Sequence, residues 1–308
     1  MKIAIAGGYG VGMTMRLSRA PRAGETVSGG VLAVGPGGKG SNQAVAVARL
    51  GARSSLLTAV GADEQGRAGR ALWAAEGVDF EHVVTVAGAT MTGFILVDDD
   101  GENRIAIAPG ALDELDASHV EAYRGEIAGA DILLISLEIP LAAAAAAMRI
   151  AQESGTPVIL NPAPAVAIPD ELLALASILT PNLGEAATLL GEPLDPATDP
   201  ARMARALADL SGAAVVITLG AAGCVVADEE GEYAIPAVDA GLVVDTVGAG
   251  DAFSAALAVA TADGRPLRWA VRFAVCAGAL AVTTAEVVPA LPGLDDVAQL
   301  MERQDTHA

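Results

Sequence analysis

The segment Asp245-Thr246-Val247-Gly248-Ala249-Gly250-Asp251-Ala252-Phe253 follows a β-branched pair and precedes a stretch that favours a helix, residues 255–262. This order predicts a tight glycine turn that opens a helix. The backbone N–H groups of Gly248, Ala249 and Gly250 then have no partner within the helix, and the positive end of the helix dipole attracts an anion. The segment therefore predicts an anion hole suited to the charge of a transferring phosphoryl group.

Asp251 lies beside this predicted anion hole. An aspartate there can accept the proton of an attacking hydroxyl, even though the helix dipole makes it a weak base, because the proton can leave late in a loose phosphoryl-transfer transition state. The alternative is that Asp251 only stabilises the first turn of the helix through its charge. Both interpretations stay open on this segment alone.

The composition limits the classes of protein that the chain can represent. Its 308 residues are 53% hydrophobic, which suffices for one large α/β domain or two smaller ones. With 18 basic and 38 acidic residues, the net charge of −20 argues against nonspecific attraction to nucleic acid or anionic membranes. We read no export signal and no membrane span, and Cys224 and Cys276 have no metal-ligand spacing. We therefore expect a cytoplasmic protein with reduced thiols.

Strand and helix patterns alternate along most of the chain. Short apolar runs predict strands at residues 3–6, 55–60, 132–136, 158–161, 178–180 and 214–218. Helical patterns separate many of them, at residues 41–50, 64–76, 141–153, 183–190, 201–210, 250–262 and 267–282. This alternation predicts crossover connections and an α/β fold with a mostly parallel central sheet.

Two regions, residues 12–36 and 92–108, interrupt the alternation with turn residues and short β patterns. The second contains Asp98-Asp99-Asp100-Gly101, which is typical of a hairpin connection. We expect the two regions to pair as a small β lid on a single domain that spans residues 1–308. A lid strand with an exposed edge can also pair between subunits, so we further expect a homodimer through the lid.

A second glycine-rich motif, Gly37-Gly38-Lys39-Gly40-Ser41-Asn42-Gln43-Ala44, precedes another predicted helix and adds a cation and an amide to closely approachable backbone. Its spacing is not that of a Walker phosphate loop, and its local alternative is a helix cap with an exposed lysine. The two motifs in this order resemble the two signatures of the ribokinase-like (PfkB) carbohydrate kinase family. Similar stretches cover nearly the whole chain, at residues 160–164, 180–185, 217–220 and 272–274.

The resemblance implies a ribokinase-like three-layer sandwich with a mostly parallel central sheet and a small β lid. It also implies an ATP-dependent kinase, assisted by Mg²⁺, that transfers the γ-phosphate to a hydroxymethyl group of ribose or a related small sugar. The acceptor residues that it implies are Asp251 as general base, Gly38, Lys39, Asn42 and Glu138. Glu138 also follows a predicted strand, at the sheet edge where open α/β sheets bind ligands, although a helix-capping acid would stand there as well.

For the nucleotide, the resemblance implies contacts from Asn182, Thr218, Gly220, Gly248 and Gly250. Glu185 matches a family position that supports Mg²⁺ through water, and its spacing from Asn182 suits a hydrated hard cation. Without the family, a helix cap explains this pair better. Asp245 and the carbonyl of Val247 would contribute to a K⁺ site, although Glu286 replaces a residue that is often small in the family.

The first loop departs from the family pattern. Gly10 and Gly12 stand where an asparagine and an aspartate hold sugar hydroxyls. A site without these polar anchors discriminates less between hydroxyl patterns, and a larger acceptor can use the space. Tyr9, Met13 or Met91 would then supply apolar contacts, although Tyr9 suits core packing equally well.

Three other functions are compatible with parts of the pattern. A nucleoside kinase of the same fold would use the same catalytic residues, and a noncatalytic sensor of sugar or nucleotide would retain the fold without turnover. A dinucleotide-dependent oxidoreductase is disfavoured, because the turn within residues 3–12 lacks the Gly-x-Gly-x-x-Gly spacing.

Overall fold

A central sheet of eight strands organises the protein, whose computed structural model describes residues 1–100, 103–195 and 197–307. The strands of the central sheet and of two smaller sheets are, in chain order, β1 (Lys2–Ala6), β2 (Gly10–Arg16), β3 (Val31–Gly37), β4 (Arg53–Leu57), β5 (Ala59–Gly61), β6 (Val84–Val86), β7 (Met91–Val97), β8 (Asn103–Ala108), β9 (Ile132–Ser136), β10 (Val158–Asn161), β11 (Ile178–Leu179), β12 (Ala214–Thr218), β13 (Cys224–Asp228) and β14 (Gly231–Ile235). The α-helices are α1 (Lys39–Arg49), α2 (Glu64–Glu76), α3 (Ala117–Ala122), α4 (Arg124–Ala128), α5 (Leu141–Ser154), α6 (Asp170–Leu173), α7 (Leu183–Leu190), α8 (Pro200–Ser211), α9 (Ala249–Ala262), α10 (Leu267–Ala281), α11 (Val287–Ala290) and α12 (Leu294–His307). Among the helices in the described ranges, none is both long and apolar enough to cross a bilayer.

The strand order of the central sheet is β14-β13-β12-β11-β10-β9-β1-β4. Neighbours from β4 to β12 are parallel, whereas β13 and β14 run antiparallel at one end, so the predicted mostly parallel sheet is confirmed. Alternate residues of β1 divide between two cores. Ile3 and Ile5 belong to the core with α1, α9 and α10, and Ala4 and Ala6 to the core with α3 to α8. The sheet is therefore the middle layer of three.

The strand predicted at residues 55–60 is wrong as a single element, although the predicted helices match within two residues at each end. The chain leaves the central sheet after Leu57, and the carbonyl oxygen of Thr58 accepts a hydrogen bond from Val84 N–H at 2.9 Å. The remaining residues form β5, which pairs with β6 in a separate sheet. A continuous apolar run cannot show that its two halves have different backbone partners.

A further sheet has the order β3-β2-β7-β8 and takes its strands from the two regions that interrupt the alternation. Strands β2 and β7 are parallel, and β7 pairs antiparallel with β8. Residues 17–30 of the first region form no strand. The predicted hairpin connection extends to Gly101, which lies outside the described residues. Large exposed apolar side chains on this sheet are Val31, Leu32, Val34, Phe94 and Ile107.

Tyr123 connects the layer of α3 and α4 to the central sheet. Its buried hydroxyl donates to the carbonyl oxygen of Ser55 at 2.6 Å and accepts from the N–H of Ile5 at 3.3 Å. We expect Tyr123→Phe to lower the free energy of unfolding by about 1–3 kcal/mol, because two buried backbone groups lose a partner. Urea denaturation measures this loss. An unchanged unfolding midpoint would contradict the connecting role.

Candidate active site

Helix α9 begins at the predicted anion hole. Gly248 precedes its first residue with φ 86°, a left-handed conformation that favours glycine, and a Cβ there would lie 2.6 Å from Cγ1 of Val287. Gly250 is different, because a Cβ on it would meet no heavy atom within 4 Å. The space beside the Cα of Gly250 is therefore open, at a helix start where N–H groups lack partners within the helix, and this leaves room for a phosphoryl group.

Asp251 is almost fully enclosed, with 6% of its surface exposed. Nδ2 of Asn42 donates to its Oδ2 at 2.8 Å, and Nε2 of Gln43 donates to its Oδ1 at 3.3 Å. Burial raises the pKa of Asp251 above the ordinary value, while the charge of Lys39 and the two amide hydrogen bonds oppose the rise. A raised pKa makes the carboxylate a stronger base than the helix dipole alone would allow.

The start of α1 brings Lys39 and Glu138 together. The backbone N–H of Lys39 donates to Oε2 of Glu138 at 2.6 Å, and Glu138 follows the end of β9. Burial lowers the pKa of Lys39, but the nearby charges of Asp251, Glu138 and Glu185 outweigh it, and the pKa is raised. Lys39 therefore stays cationic among three carboxyl groups. The structure thus brings the predicted acceptor residues into one neighbourhood.

Burial raises the pKa of Glu138 to about 7, against the opposing charge of Lys39, and the charge of Asp251 raises it further. Because an unfolded glutamate has a pKa of about 4.3, the folded protein binds this proton more tightly, so stability decreases as pH rises from about 4.3 to about 7. We expect Glu138→Gln to remove this decrease. The urea midpoint of Glu138→Gln, measured relative to that of the parent, should therefore increase as pH rises from about 5 to about 8.

Glu121 supplies the matched control for this pH dependence. A hydrogen bond from Arg124 lowers the pKa of this exposed carboxyl, so its contribution to stability is present above its unfolded pKa and is lost as pH falls. The urea midpoint of Glu121→Gln, compared with that of the parent, should therefore fall as pH rises, whereas that of Glu138→Gln should rise. Parallel pH profiles for Glu138→Gln and the parent would contradict the assignment.

Asn182 and Glu185 form a reciprocal cap at the start of α7. The backbone N–H and Nδ2 of Asn182 donate to the two carboxylate oxygens of Glu185, each at 2.8 Å, and Asn182 Oδ1 accepts from Glu185 N–H at 2.9 Å. Burial raises the pKa of Glu185. Both carboxylate oxygens already accept hydrogen bonds, so the pair fits Mg²⁺ through water better than by direct coordination. The cap and the predicted metal role are therefore compatible.

A cavity of about 610 Å³ lies beside the start of α9. Among its lining residues are three of the predicted nucleotide contacts, Thr218, Gly220 and Gly250. Asn182 and Gly248 are outside the lining, although Asn182 forms an isolated parallel bridge with Thr218. The rest of the lining comes mainly from residues 237–243 and from α9 and α10. Its size and its contact with the anion hole suit a nucleotide.

The predicted K⁺ residues lie in the loop before α9. Val247 N–H donates to Oδ1 of Asp245 at 3.1 Å, and the N–H of Asp245 donates to the carbonyl oxygen of Val282 at 3.2 Å. Glu286 has φ 66° at the start of α11. Within the described ranges, no three His, Cys, Asp or Glu side chains cluster as metal ligands. K⁺ binding stays a prediction.

Gly10 and Gly12, predicted in a loop, lie in strand β2, and their neighbours occupy the places of the missing polar anchors. A Cβ on Gly10 would lie 2.6 Å from the carbonyl oxygen and from Cε of Met91, whereas the nearest atom to one on Gly12 is Ile95 Cδ1 at 3.6 Å. Met91 therefore fills the space that a side chain at Gly10 needs. Tyr9 is fully buried, and its hydroxyl donates to the carbonyl oxygen of Gln65 at 3.0 Å, so it is a core residue.

Sequence reasoning missed Gln43 and Asn161 as members of the site. Both are buried, and Nε2 of Gln43 donates to Oδ1 of Asn161 at 3.2 Å as well as to Asp251. Both residues lie inside the stretches that carried the resemblance. Their amide side chains were the available signal, but the partners are 118 and 208 positions away in the chain.

Comparisons with known proteins identify the family of this chain. A family model described as pfkB family carbohydrate kinase matches residues 10–293. Ribokinase of Haemophilus influenzae is 37% identical over 281 residues, 91% of each chain, and that of Schizosaccharomyces pombe is 34% identical over 307 residues, 96% of each. The structure of Arabidopsis thaliana ribokinase with ribose and ATP matches with a TM-score of 0.89 at 28% identity, covering 98% of each chain.

The chain belongs to the pfkB family of carbohydrate kinases. It is therefore a phosphotransferase that uses ATP and a sugar hydroxyl, and it has the three-layer ribokinase-like fold. The family that the two motifs resemble is confirmed.

Proposed function

We propose that this enzyme transfers the γ-phosphate of ATP to the hydroxymethyl group of ribose or a related small sugar. The observation that carries the proposal is the placement of Asp251. It is a buried carboxylate with a raised pKa, held by two amides in the first turn of α9, directly after Gly250. The relatives named ribokinase, and the neighbour solved with ribose and ATP, support the choice of sugar.

The residues divide the reaction between them. The acceptor lies against Gly38, Lys39, Asn42 and Glu138, which fix its hydroxymethyl group toward a carboxylate oxygen of Asp251. That oxygen takes the hydroxyl proton as the new O–P bond forms and the bond from the γ-phosphorus to the β,γ-bridging oxygen breaks, which releases ADP. The N–H groups at Ala249 and Gly250 stabilise the charge on the transferring phosphoryl group.

Cations complete the proposed chemistry. Mg²⁺, held through water by Glu185 with support from Asn182, would neutralise charge on the ATP phosphates. We further propose that Asp245 and the carbonyl of Val247 contribute to a K⁺ site near the anion hole. ATP itself would occupy the cavity lined by Thr218, Gly220 and Gly250, and we place the reaction in the cytoplasm, where ATP is available and Cys224 and Cys276 stay reduced.

We propose that the sheet of β3, β2, β7 and β8 acts as the lid of this single kinase domain and excludes water from the acceptor. Its exposed side chains at Leu32, Val34 and Phe94 support pairing with a second copy. Light scattering coupled to gel filtration should show a dimer that the double change Leu32→Lys with Val34→Lys converts to monomer. A parent protein that stays monomeric as its concentration rises would refute the pairing.

Two alternative functions, a nucleoside kinase and a noncatalytic sensor, each have an observation in their favour. Room at Gly12 and the apolar Met91 and Ile95 favour a nucleoside as acceptor, because its base could use space without polar anchors. A noncatalytic sensor would bind sugar and ATP without turnover, and the fold alone accommodates it. The retained Asp251 and the open anion hole favour catalysis over sensing.

The deciding experiment measures ATP consumption with Mg²⁺ across ribose, deoxyribose, fructose, other sugars, sugar acids and nucleosides. Mass spectrometry of each phosphorylated product identifies the acceptor and the site of phosphorylation. Product formed by the parent and lost in Asp251→Asn supports the proposal. Binding of ATP and a sugar without any product would favour the sensor instead.

A further inference from the structure

Two neighbouring amides of α1 hold the carboxylate of Asp251. Asn42 donates to Oδ2 and Gln43 to Oδ1, so each carboxylate oxygen has one donor. In the proposed reaction, Asn42 also contacts the sugar that receives the phosphoryl group. Gln43 is fully buried, and the same Nε2 that faces Asp251 also donates to Oδ1 of Asn161 at the end of β10.

The hydrogen bonds beyond Gln43 determine which end of its amide faces Asp251. The carbonyl oxygen of Thr180 can only accept, and Nδ2 of Asn161 donates to it at 3.2 Å. Asn161 therefore presents Oδ1 to Gln43, and this acceptor requires Nε2 of Gln43. The same Nε2 donates to Asp251, so the carbonyl oxygen at one end and the carboxylate at the other require the same orientation of both amides.

This orientation leaves two buried oxygens without a hydrogen-bond partner among the described residues, Oε1 of Gln43 and Oδ1 of Asn42. Buried polar atoms without partners reduce stability, and folded proteins retain few of them. Both unpaired oxygens belong to the amides whose NH₂ groups face Asp251. The arrangement favours hydrogen bonding to the carboxylate at the expense of the two amide oxygens.

We propose that Gln43 is a positioning residue for the catalytic base, and that the series Asp251–Gln43–Asn161–Thr180 fixes the rotation of the carboxylate and favours its ionised form. The proposal rests on the proposed role of Asp251 as base. The charged and titratable groups around this carboxylate are Lys39 of α1, Glu138 after β9 and Glu185 of α7. Gln43 adds the neutral donor that orients the carboxylate among them.

Gln43→Met tests the proposal, because methionine keeps similar volume and cannot donate a hydrogen bond. We expect kcat to fall about tenfold with an unchanged KM for ATP, since a hydrogen bond to a charged group is lost. Removing a donor to the ionised form raises the pKa of Asp251, so the acidic limb of the pH profile of kcat should move up by about one unit. A structural defect would lower activity without moving this limb.

Asn161→Leu provides a second test, because Asn161 does not contact Asp251. Gln43 then keeps Asp251 as an acceptor but loses the second acceptor that holds its Nε2 in place. We expect kcat to fall about threefold with a smaller upward movement of the acidic limb. The double variant should be no slower than Gln43→Met alone, because both changes break the same series. Independent, multiplying losses would overturn the proposal.

Thr156→Val is the matched control. It removes one buried hydrogen bond, from Thr156 Oγ1 to the carbonyl oxygen of Ile127 at 3.0 Å, which lies outside the site. It should lower the unfolding midpoint without moving the pH profile. A Gln43→Met enzyme with the parent's kcat and acidic limb would overturn the positioning role, while Asp251→Asn stays inactive. An active Asp251→Asn would instead refute the proposed base.

Discussion

Asp251→Asn should lower kcat by about 10²–10⁴-fold while changing the KM for ATP by no more than about twofold. Asparagine keeps the shape of the side chain and its place in the first turn of α9, but it cannot take the hydroxyl proton. The anion hole at Gly250 and the cavity beside it are unchanged, so the nucleotide should still bind. Steady-state kinetics with the identified acceptor, together with ATP titration by calorimetry, separate the two effects.

Asp263→Asn is the control for this prediction. Asp263 caps the other end of the same helix, is exposed, and pairs with Arg265 at 2.9 Å. Its loss removes one negative charge from α9 without touching the site, so kcat should stay at the level of the parent. Turnover by Asp251→Asn within about threefold of the parent would exclude Asp251 as the base.

Gly38→Ala should lower the free energy of unfolding by about 3 kcal/mol and raise the KM for the acceptor. Gly38 has φ 91°, where an L side chain is strained, and a Cβ would lie 2.5 Å from Cα of Tyr9 and 2.6 Å from the carbonyl oxygen of Gly8. Backbone atoms cannot rotate away from this contact. The start of α1 must therefore move, and with it the hydrogen bond between Lys39 and Glu138.

Gly155→Ala separates backbone strain from close approach. Gly155 has φ 72° at the end of α5, and a Cβ there would meet no heavy atom within 4 Å. The free energy of unfolding of Gly155→Ala should therefore fall by about 1–2 kcal/mol, the cost of the left-handed conformation alone, and its kinetics should not change. Urea denaturation of both variants gives the comparison. Equal losses would show that the contact between Gly38 and the first loop is not tight.

Much of the fold can be predicted from the sequence, because the patterns of helices and strands are local. A helix repeats its apolar positions every three or four residues, and a short apolar run of β-branched residues indicates a strand. Helix α2 was predicted with the bounds that it has in the structure. Pairing is not local. Nothing in residues 55–60 shows that β4 joins the central sheet and β5 joins β6, since that depends on where Val84 lies.

In the site, too, local motifs could be predicted and contacts between distant residues could not. Its motifs name the residue types, so Asp251, Lys39 and Asn42 could be predicted with their chemistry. Their partners could not, because Gln43 meets Asn161, which donates to the carbonyl oxygen of Thr180, only after α1 has packed on the central sheet. The pKa directions of Glu138 and Asp251 were likewise hidden, since burial causes them and burial belongs to the assembled molecule.

The hydrogen bond between Asn42 and Asp251 spans 209 positions of the chain. A ribosome must therefore finish most of the polypeptide before the base can meet the helix that orients it, and loops of that length close late in folding. Partly folded chains, whatever secondary structure they hold, lack an organised base and cannot transfer phosphate. Recovery of turnover during refolding thus reports the final docking of α9 on α1, and it distinguishes complete molecules from compact, inactive intermediates.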